Sequence, residues 1–105
     1  MVAFKKIQSL AKSIGREFNP EKIILFGSYA YGTPNDDSDV DILVILPFEG
    51  KNFRKSLEII NRVRPAFGAD ILARRPEDTK MRYSEGDPLI REALDKGKVL
   101  YESNR

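Results

Sequence analysis

Two runs, with ten residues between them, decide how this chain folds: Ile23-Ile24-Leu25-Phe26-Gly27-Ser28 and Asp39-Val40-Asp41-Ile42-Leu43-Val44-Ile45-Leu46. The first is a short apolar stretch set between a polar turn and a glycine, the pattern of a buried strand. Gly27-Ser28 then opens a segment of small residues reaching Gly32, which can turn into a short helix. Thr33 to Ser38 has the composition of a loop. In the second run Val40, Ile42, Val44 and Leu46 alternate with Asp41, Leu43 and Ile45. Both faces are largely apolar, so this strand, Val40 to Leu46, belongs in the middle of a sheet except at its acidic start.

Working outward, Ile7, Leu10, Ala11, Ile14 and Phe18 recur at helical spacing, which predicts one amphipathic helix over Val2 to Phe18, stopped at Asn19-Pro20. Residues 51 to 64 carry Phe53, Leu57 and Ile60 at the same spacing, and Pro65 and Gly68 are expected to close that helix. Ala69 to Ala73 reads as a third short strand with Asp70 near its beginning, and Arg74 to Asp87 as polar and irregular, with at most a turn around Lys80. Pro88 to Lys96 reads as a final helix capped by Gly97, and Val99-Leu100-Tyr101 as a closing strand. The order α-β-α-β-α-β-α-(β) indicates an α/β (α+β) fold, a small mixed sheet flanked by helices. With no linker, repeat or low-complexity segment, residues 1–105 are expected to form a single domain.

Composition narrows the chemistry. The chain has no cysteine and no histidine, which removes disulfides, thiolate metal sites and the commonest general base. Carboxylates are left as the proton acceptors near neutral pH, and any metal would be held by oxygen, as Mg²⁺, Ca²⁺ or Mn²⁺ are. A net charge of +2 is too small to argue for nucleic acid. No apolar run approaches the ~20 residues needed to span a bilayer, and the N-terminus lacks a signal-peptide core, so a cytoplasmic location is expected.

Three features carry candidate chemistry, and none is specific alone. Asp39 and Asp41 flank Val40 at a strand start, so their side chains share a face at roughly 7 Å spacing and can converge on divalent cations. A spaced pair by itself is more often a solvated loop end. Gly27-Ser28 after a buried strand offers a sharp turn, backbone N–H groups and a hydroxyl to a phosphate; by itself it is more often an ordinary helix cap. Asp70 at the start of an apolar strand needs a partner or a metal if buried, and is unremarkable if it faces water.

Together, the segment Gly27-Ser28-Tyr29-Ala30-Tyr31-Gly32 followed by Ser38-Asp39-Val40-Asp41-Ile42-Leu43-Val44, with an acidic strand about thirty residues on, resembles the nucleotidyltransferase superfamily that includes DNA polymerase beta. The likeness extends over nearly the whole chain, and looks closest to the smallest branch, the minimal nucleotidyltransferases. The resemblance implies that Asp39, Asp41 and Asp70 bind two Mg²⁺ ions and carry catalysis, that Gly27 and Ser28 contact the β and γ phosphates of ATP, and that a nucleoside monophosphate is transferred to a hydroxyl. It further implies an antitoxin that adds AMP to a tyrosine of a partner HEPN-type ribonuclease toxin. The alternatives are a nucleotidyltransferase-fold module that neutralises the partner by contact, and transfer to a small molecule or an RNA end. A homo- or hetero-oligomer is compatible with either, and Phe48, Phe53 and Tyr83 are the apolar candidates for an interface. Tyr31 departs from the family pattern, which often has arginine there and sometimes at Tyr29; Arg74 and Arg75 are candidates to replace that cation.

Overall fold

The computed structural model describes residues 1–104. Helix α1 (Phe4–Phe18) leads into strand β1 (Lys22–Phe26), a single helical turn α2 (Ser28–Tyr31) and strand β2 (Val40–Ile45). Helix α3 (Asn52–Val63), strand β3 (Ala69–Arg74), helices α4 (Pro76–Ser84) and α5 (Pro88–Lys96) and strand β4 (Lys98–Glu102) follow. The strands form one mixed sheet in the order β3-β2-β1-β4. β1 is antiparallel to both β2 and β4, whereas β2 and β3 are parallel and joined by α3.

Strand alternation divides the core into two layers. Ile23, Leu25, Val40, Ile42, Val44, Ile71 and Ala73 face one side, where Ile7, Leu10, Ala11 and Ile14 of α1 and Ile59 of α3 cover them. Ile24, Phe26, Leu43 and Ile45 face the other, under Ile90 and Ala93 of α5. Each fully buried Ile or Leu contributes roughly 1.5–3 kcal/mol by leaving water, so the periodic helices dock because their stripes match these two faces. α1 stops where Asn19 turns left-handed at φ 50°, ahead of Pro20. α5 starts at Pro88 because Asp87 accepts the N–H groups of Leu89 and Ile90 at 3.0 and 3.2 Å.

The segment 74–87, expected to be irregular, is instead mostly helix α4. Pro76 starts it, Glu77 and Asp78 complement its first turn, and Arg82 stands in its last. Its only buried residue is Thr79, so it carries no apolar stripe for a periodicity argument to find. Helix α3 ends just ahead of Pro65, as expected, but without Gly68. Arg64, left-handed at φ 46°, terminates it, and Gly68 serves elsewhere.

This topology fixes where chemistry can gather. Because β1 runs antiparallel to β2 and β2 parallel to β3, the end of β1 and the beginnings of β2 and β3 meet along one edge of the sheet.

Candidate active site

Along that edge the register aligns Phe26 of β1 with Asp41 of β2, and Asp41 with Asp70 of β3. Gly27, the residue after Phe26, therefore lies beside Asp41. Its φ of 73° and ψ of −157° are open essentially to glycine alone. A Cβ at Gly27 would overlap Asp41 Oδ2, so this glycine both makes the turn and leaves room for the carboxylate. Val40, wholly buried, anchors the two flanking aspartates to the core.

Asp39 precedes β2 and lies against β3. Its Oδ1 occupies the space a Cβ would take at Gly68, while Gly68 O accepts the Val40 N–H at 3.0 Å. Gly68 is thus a second residue shaping the site, one that sequence reading assigned to helix closure. The available signal was its place two residues before Asp70.

Asp39 and Asp70 are exposed and Asp41 is half-buried. Facing water, Asp70 needs no partner on account of burial, and its link to the site is its alignment with Asp41. Among the described residues none of the three carboxylates is in an ion pair. Burial, then the charge of Asp70, then that of Asp39, push the Asp41 carboxyl above its ordinary value. An uncompensated acidic cluster of this kind lowers its energy by binding a cation.

The donor set fits Mg²⁺: three oxygen-bearing side chains, no nitrogen or sulfur, and a glycine cradle that admits close approach. Among the described residues no group of three or more His, Cys, Asp or Glu side chains is placed so that together they could hold a metal ion. Mg²⁺ is usually held by one or two carboxylates together with substrate phosphates and water rather than by an all-protein cage, so an open arrangement suits it. On the other side of Gly27, Ala30 and Tyr31 direct their N–H groups to Gly27 O at 3.0 and 3.1 Å. This leaves the N–H groups of Ser28 and Tyr29, in the first turn of α2, outside the helical ladder and beside the Ser28 hydroxyl.

Neither the two tyrosines at the expected arginine positions nor the two candidate replacement arginines bring a cation to the acidic end of the sheet. Tyr29 packs against the core and its hydroxyl accepts the Val2 N–H at 3.0 Å, tying down the N-terminal segment. Tyr31 is 37% exposed and brings no charge. Arg75 stacks on Phe48 at 4.3 Å and donates to Phe48 O, Gly50 O and Asn52 Oδ1, pinning the loop after β2. Arg74 pairs in register with Ile45, about 13 Å along the strand from Asp70 at ~3.3 Å per residue, and its Nη1 donates to Ala73 O. Both arginines belong to the far end of β3. Of the apolar candidates, Phe48 lies under Arg75 and Tyr83 packs on the α5 side and donates to Asp95, while Phe53 is 70% exposed.

No helix among the described residues is long and apolar enough to cross a membrane. The sequence matches the family model described as "Polymerase beta, Nucleotidyltransferase" over residues 5–105. It is 31% identical over 81 residues to the Methanocaldococcus jannaschii protein named "Putative protein adenylyltransferase MJ0604", covering 77% of this chain and 78% of that one. The fold resembles that of a Sulfolobus solfataricus protein described as a putative nucleotidyltransferase, with a TM-score of 0.65, 18% identity, and 93% of this chain and 78% of that one covered. It also resembles a chain of a toxin–antitoxin structure with AMP-PNP (TM-score 0.57, 20% identity, 92% and 74% covered) and one of a doubly substituted mutant of the toxin–antitoxin MntA-HpeT (TM-score 0.54, 17% identity, 92% and 74% covered). At these identities the structural likenesses speak for the fold alone. The family match along almost the whole chain, on a sheet whose register aligns Phe26, next to Gly27, with Asp41 and Asp41 with Asp70, places this protein in the polymerase beta nucleotidyltransferase family.

Proposed function

We propose that this nucleotidyltransferase transfers AMP from ATP to a tyrosine hydroxyl of a partner HEPN-type ribonuclease toxin, with Mg²⁺, and so acts as its antitoxin. The observation that carries the transferase reading is the alignment across three strands. Gly27 and Ser28 lie on the β1 side, Asp39 and Asp41 in the middle, and Asp70 on the β3 side. The name of the Methanocaldococcus relative supports adenylylation of a protein, and the toxin–antitoxin structures, one with AMP-PNP, support the partner and the nucleotide.

In this reading the first turn of α2 and the Ser28 hydroxyl hold the β and γ phosphates. Asp39 and Asp41 hold the metal that binds the triphosphate, and Asp70 completes the second metal position. Mg²⁺ held there would supply charge neutralisation to the triphosphate and to the charge that develops at the α-phosphorus. Asp70 accepts the proton of the attacking hydroxyl. The tyrosine oxygen then bonds to the α-phosphorus, the bond to the bridging oxygen breaks in line, and pyrophosphate leaves. Most of the work is positioning and charge neutralisation.

The test is intact mass spectrometry of the candidate toxin, the product of the neighbouring gene, incubated with the protein, ATP and Mg²⁺. The expected result is an added AMP on the toxin that is lost with Asp39→Asn. A second reading, neutralisation by contact alone, is favoured by the uncharged Tyr31 and by the commitment of Arg75 to the β2–α3 loop, which leave the triphosphate grip without an arginine. A tight complex with no mass gain would establish it.

A further inference from the structure

The sheet order places the acidic edge asymmetrically. Beyond β1 lies β4, but beyond β3 there is no further strand among the described residues. The nucleotide side of the site, at Gly27 and Ser28, is thus the covered side, and Asp70 stands on the open one. Against that open edge packs α3, and between them runs a groove of about 360 Å³ with Phe53, Leu57 and Ile60 on its helix wall and Asp70, Leu72 and Arg74 on its strand wall.

The groove has a direction. Ser56 Oγ accepts the Ala73 N–H at 2.9 Å and Arg75 Nη1 donates to Asn52 Oδ1 at 3.3 Å. The start of α3 therefore lies by the end of β3, and the helix runs antiparallel to the strand. Asp70 then belongs to the Ile60 end and Arg74 to the Phe53 end. Phe53 and Leu57, one turn apart, are 70% and 42% exposed, an apolar pair that the fold leaves uncovered. Lys51 and Arg54 lie beside them at the start of α3, and neither is in an ion pair among the described residues, unlike Lys55 and Arg62, which are bound to Glu58 and Glu17. The groove does not invite a fifth strand, because Ser56 already takes the Ala73 N–H of the free edge.

We infer that this groove is the docking surface of the acceptor protein. It receives a segment with an apolar side chain over Phe53 and Leu57 and acidic residues facing Lys51, Arg54 and Arg74, and it delivers the acceptor hydroxyl to Asp70. Two observations select this occupant. The groove is continuous with the acidic edge through Asp70, so whatever lies in it ends beside the proton acceptor. At the Phe53 end Arg74 lines it and Lys51 and Arg54 stand next to it in sequence, against the single acid Glu49, so that end is net cationic and complements an acidic polypeptide. The inference rests on the transferase reading for the identity of the acceptor and for the role of Asp70, but the surface is tested by binding alone.

The experiment measures the affinity of the purified neighbouring-gene toxin for wild-type protein and for Phe53→Asp, Leu57→Lys and Arg54→Glu by titration calorimetry. AMP transfer is followed in parallel, and circular dichroism confirms that the variants fold. All three positions are exposed, so folding should be retained. The expected result is toxin affinity at least about tenfold weaker in each variant, with a raised KM for the toxin and an unchanged KM for ATP. Weakened binding with no AMP transfer by wild type would support the groove and refute the transferase reading. Equal affinity for wild type and variants, or no complex at all, would overturn the groove whatever the transfer assay gives. So would a loss of self-association or of RNA binding in the variants with toxin affinity intact, since the groove would then belong to a second copy or to a nucleic acid.

Discussion

Gly68→Ala should separate activity from stability. Among the described residues, chain neighbours aside, the only atoms within 4 Å of a Cβ at this position belong to the Asp39 carboxylate, Oδ1 and Cγ. The backbone is not in the left-handed region, since φ is positive only at Gly27, Gly50 and Gly86 among the glycines. Alanine is therefore tolerated by the main chain, and replacing a glycine at such a site stabilises by roughly 0.4–1 kcal/mol through the unfolded state. For a chain of this size that raises Tm by roughly 2–6 °C. The exposed Asp39 side chain yields at little cost, but it must swing away from its place beside β3. Misplacing a catalytic group by about 1 Å is enough to cost on the order of 100-fold in rate. Gly27→Ala is the control. There the Cβ meets Asp41 and the backbone is forced into a conformation costing roughly 1–3 kcal/mol, so activity and Tm should fall together. The assays are thermal unfolding without metal, AMP transfer, and calorimetric titration of Mn²⁺ in the presence of a non-hydrolysable ATP analogue. Wild-type transfer and wild-type Mn²⁺ affinity in Gly68→Ala would refute the placement of Asp39 in the machinery.

Three further expectations follow from the same geometry. Because the folded Asp41 carboxyl lies above its ordinary value of 3.8, the native state keeps a proton that the unfolded chain has lost. The stability it brings is complete below 3.8 and disappears as pH rises through the folded value. Without metal, Asp41→Asn should therefore melt higher than wild type at pH 7, yet lose the extra Tm that Mg²⁺ and ATP confer on wild type; a lower Tm for the variant would show that the repulsion has been misread. Asp87→Ala removes the acceptor for the first N–H groups of α5 and should cost about 1 kcal/mol in denaturant unfolding, with no change in nucleotide affinity. Arg75→Ala frees the loop held by Phe48 O, Gly50 O and Asn52 and should cost about 2 kcal/mol, with ATP affinity retained because this guanidinium belongs to the far end of the sheet; a large loss of ATP affinity would show that it reaches the phosphates.

The periodic and the punctuated parts of the fold were legible in the sequence. Ile7, Leu10, Ala11 and Ile14 announce α1, the doubly apolar run from Val40 announces a central strand, and Gly27-Ser28 with Asp39-x-Asp41 marks the candidate site. Each of these is encoded by neighbours within a few residues, and local spacing is what a sequence displays directly. α4 escaped because it buries Thr79 and little else. Its helicity comes from a proline start, charge placement and its packing with α5, none of which leaves a stripe.

What only the tertiary structure decided is how distant residues meet. The sequence contains Asp41 and Asp70, but their alignment depends on a parallel crossover through α3 that sets the register. Gly68 looks like a helix stop until β3 brings it against Asp39. Arg75 looks like a spare cation until its guanidinium is seen holding a loop. In each case the deciding interaction spans more than twenty residues of chain, so its partner is chosen by sheet pairing and packing rather than by anything adjacent in the sequence.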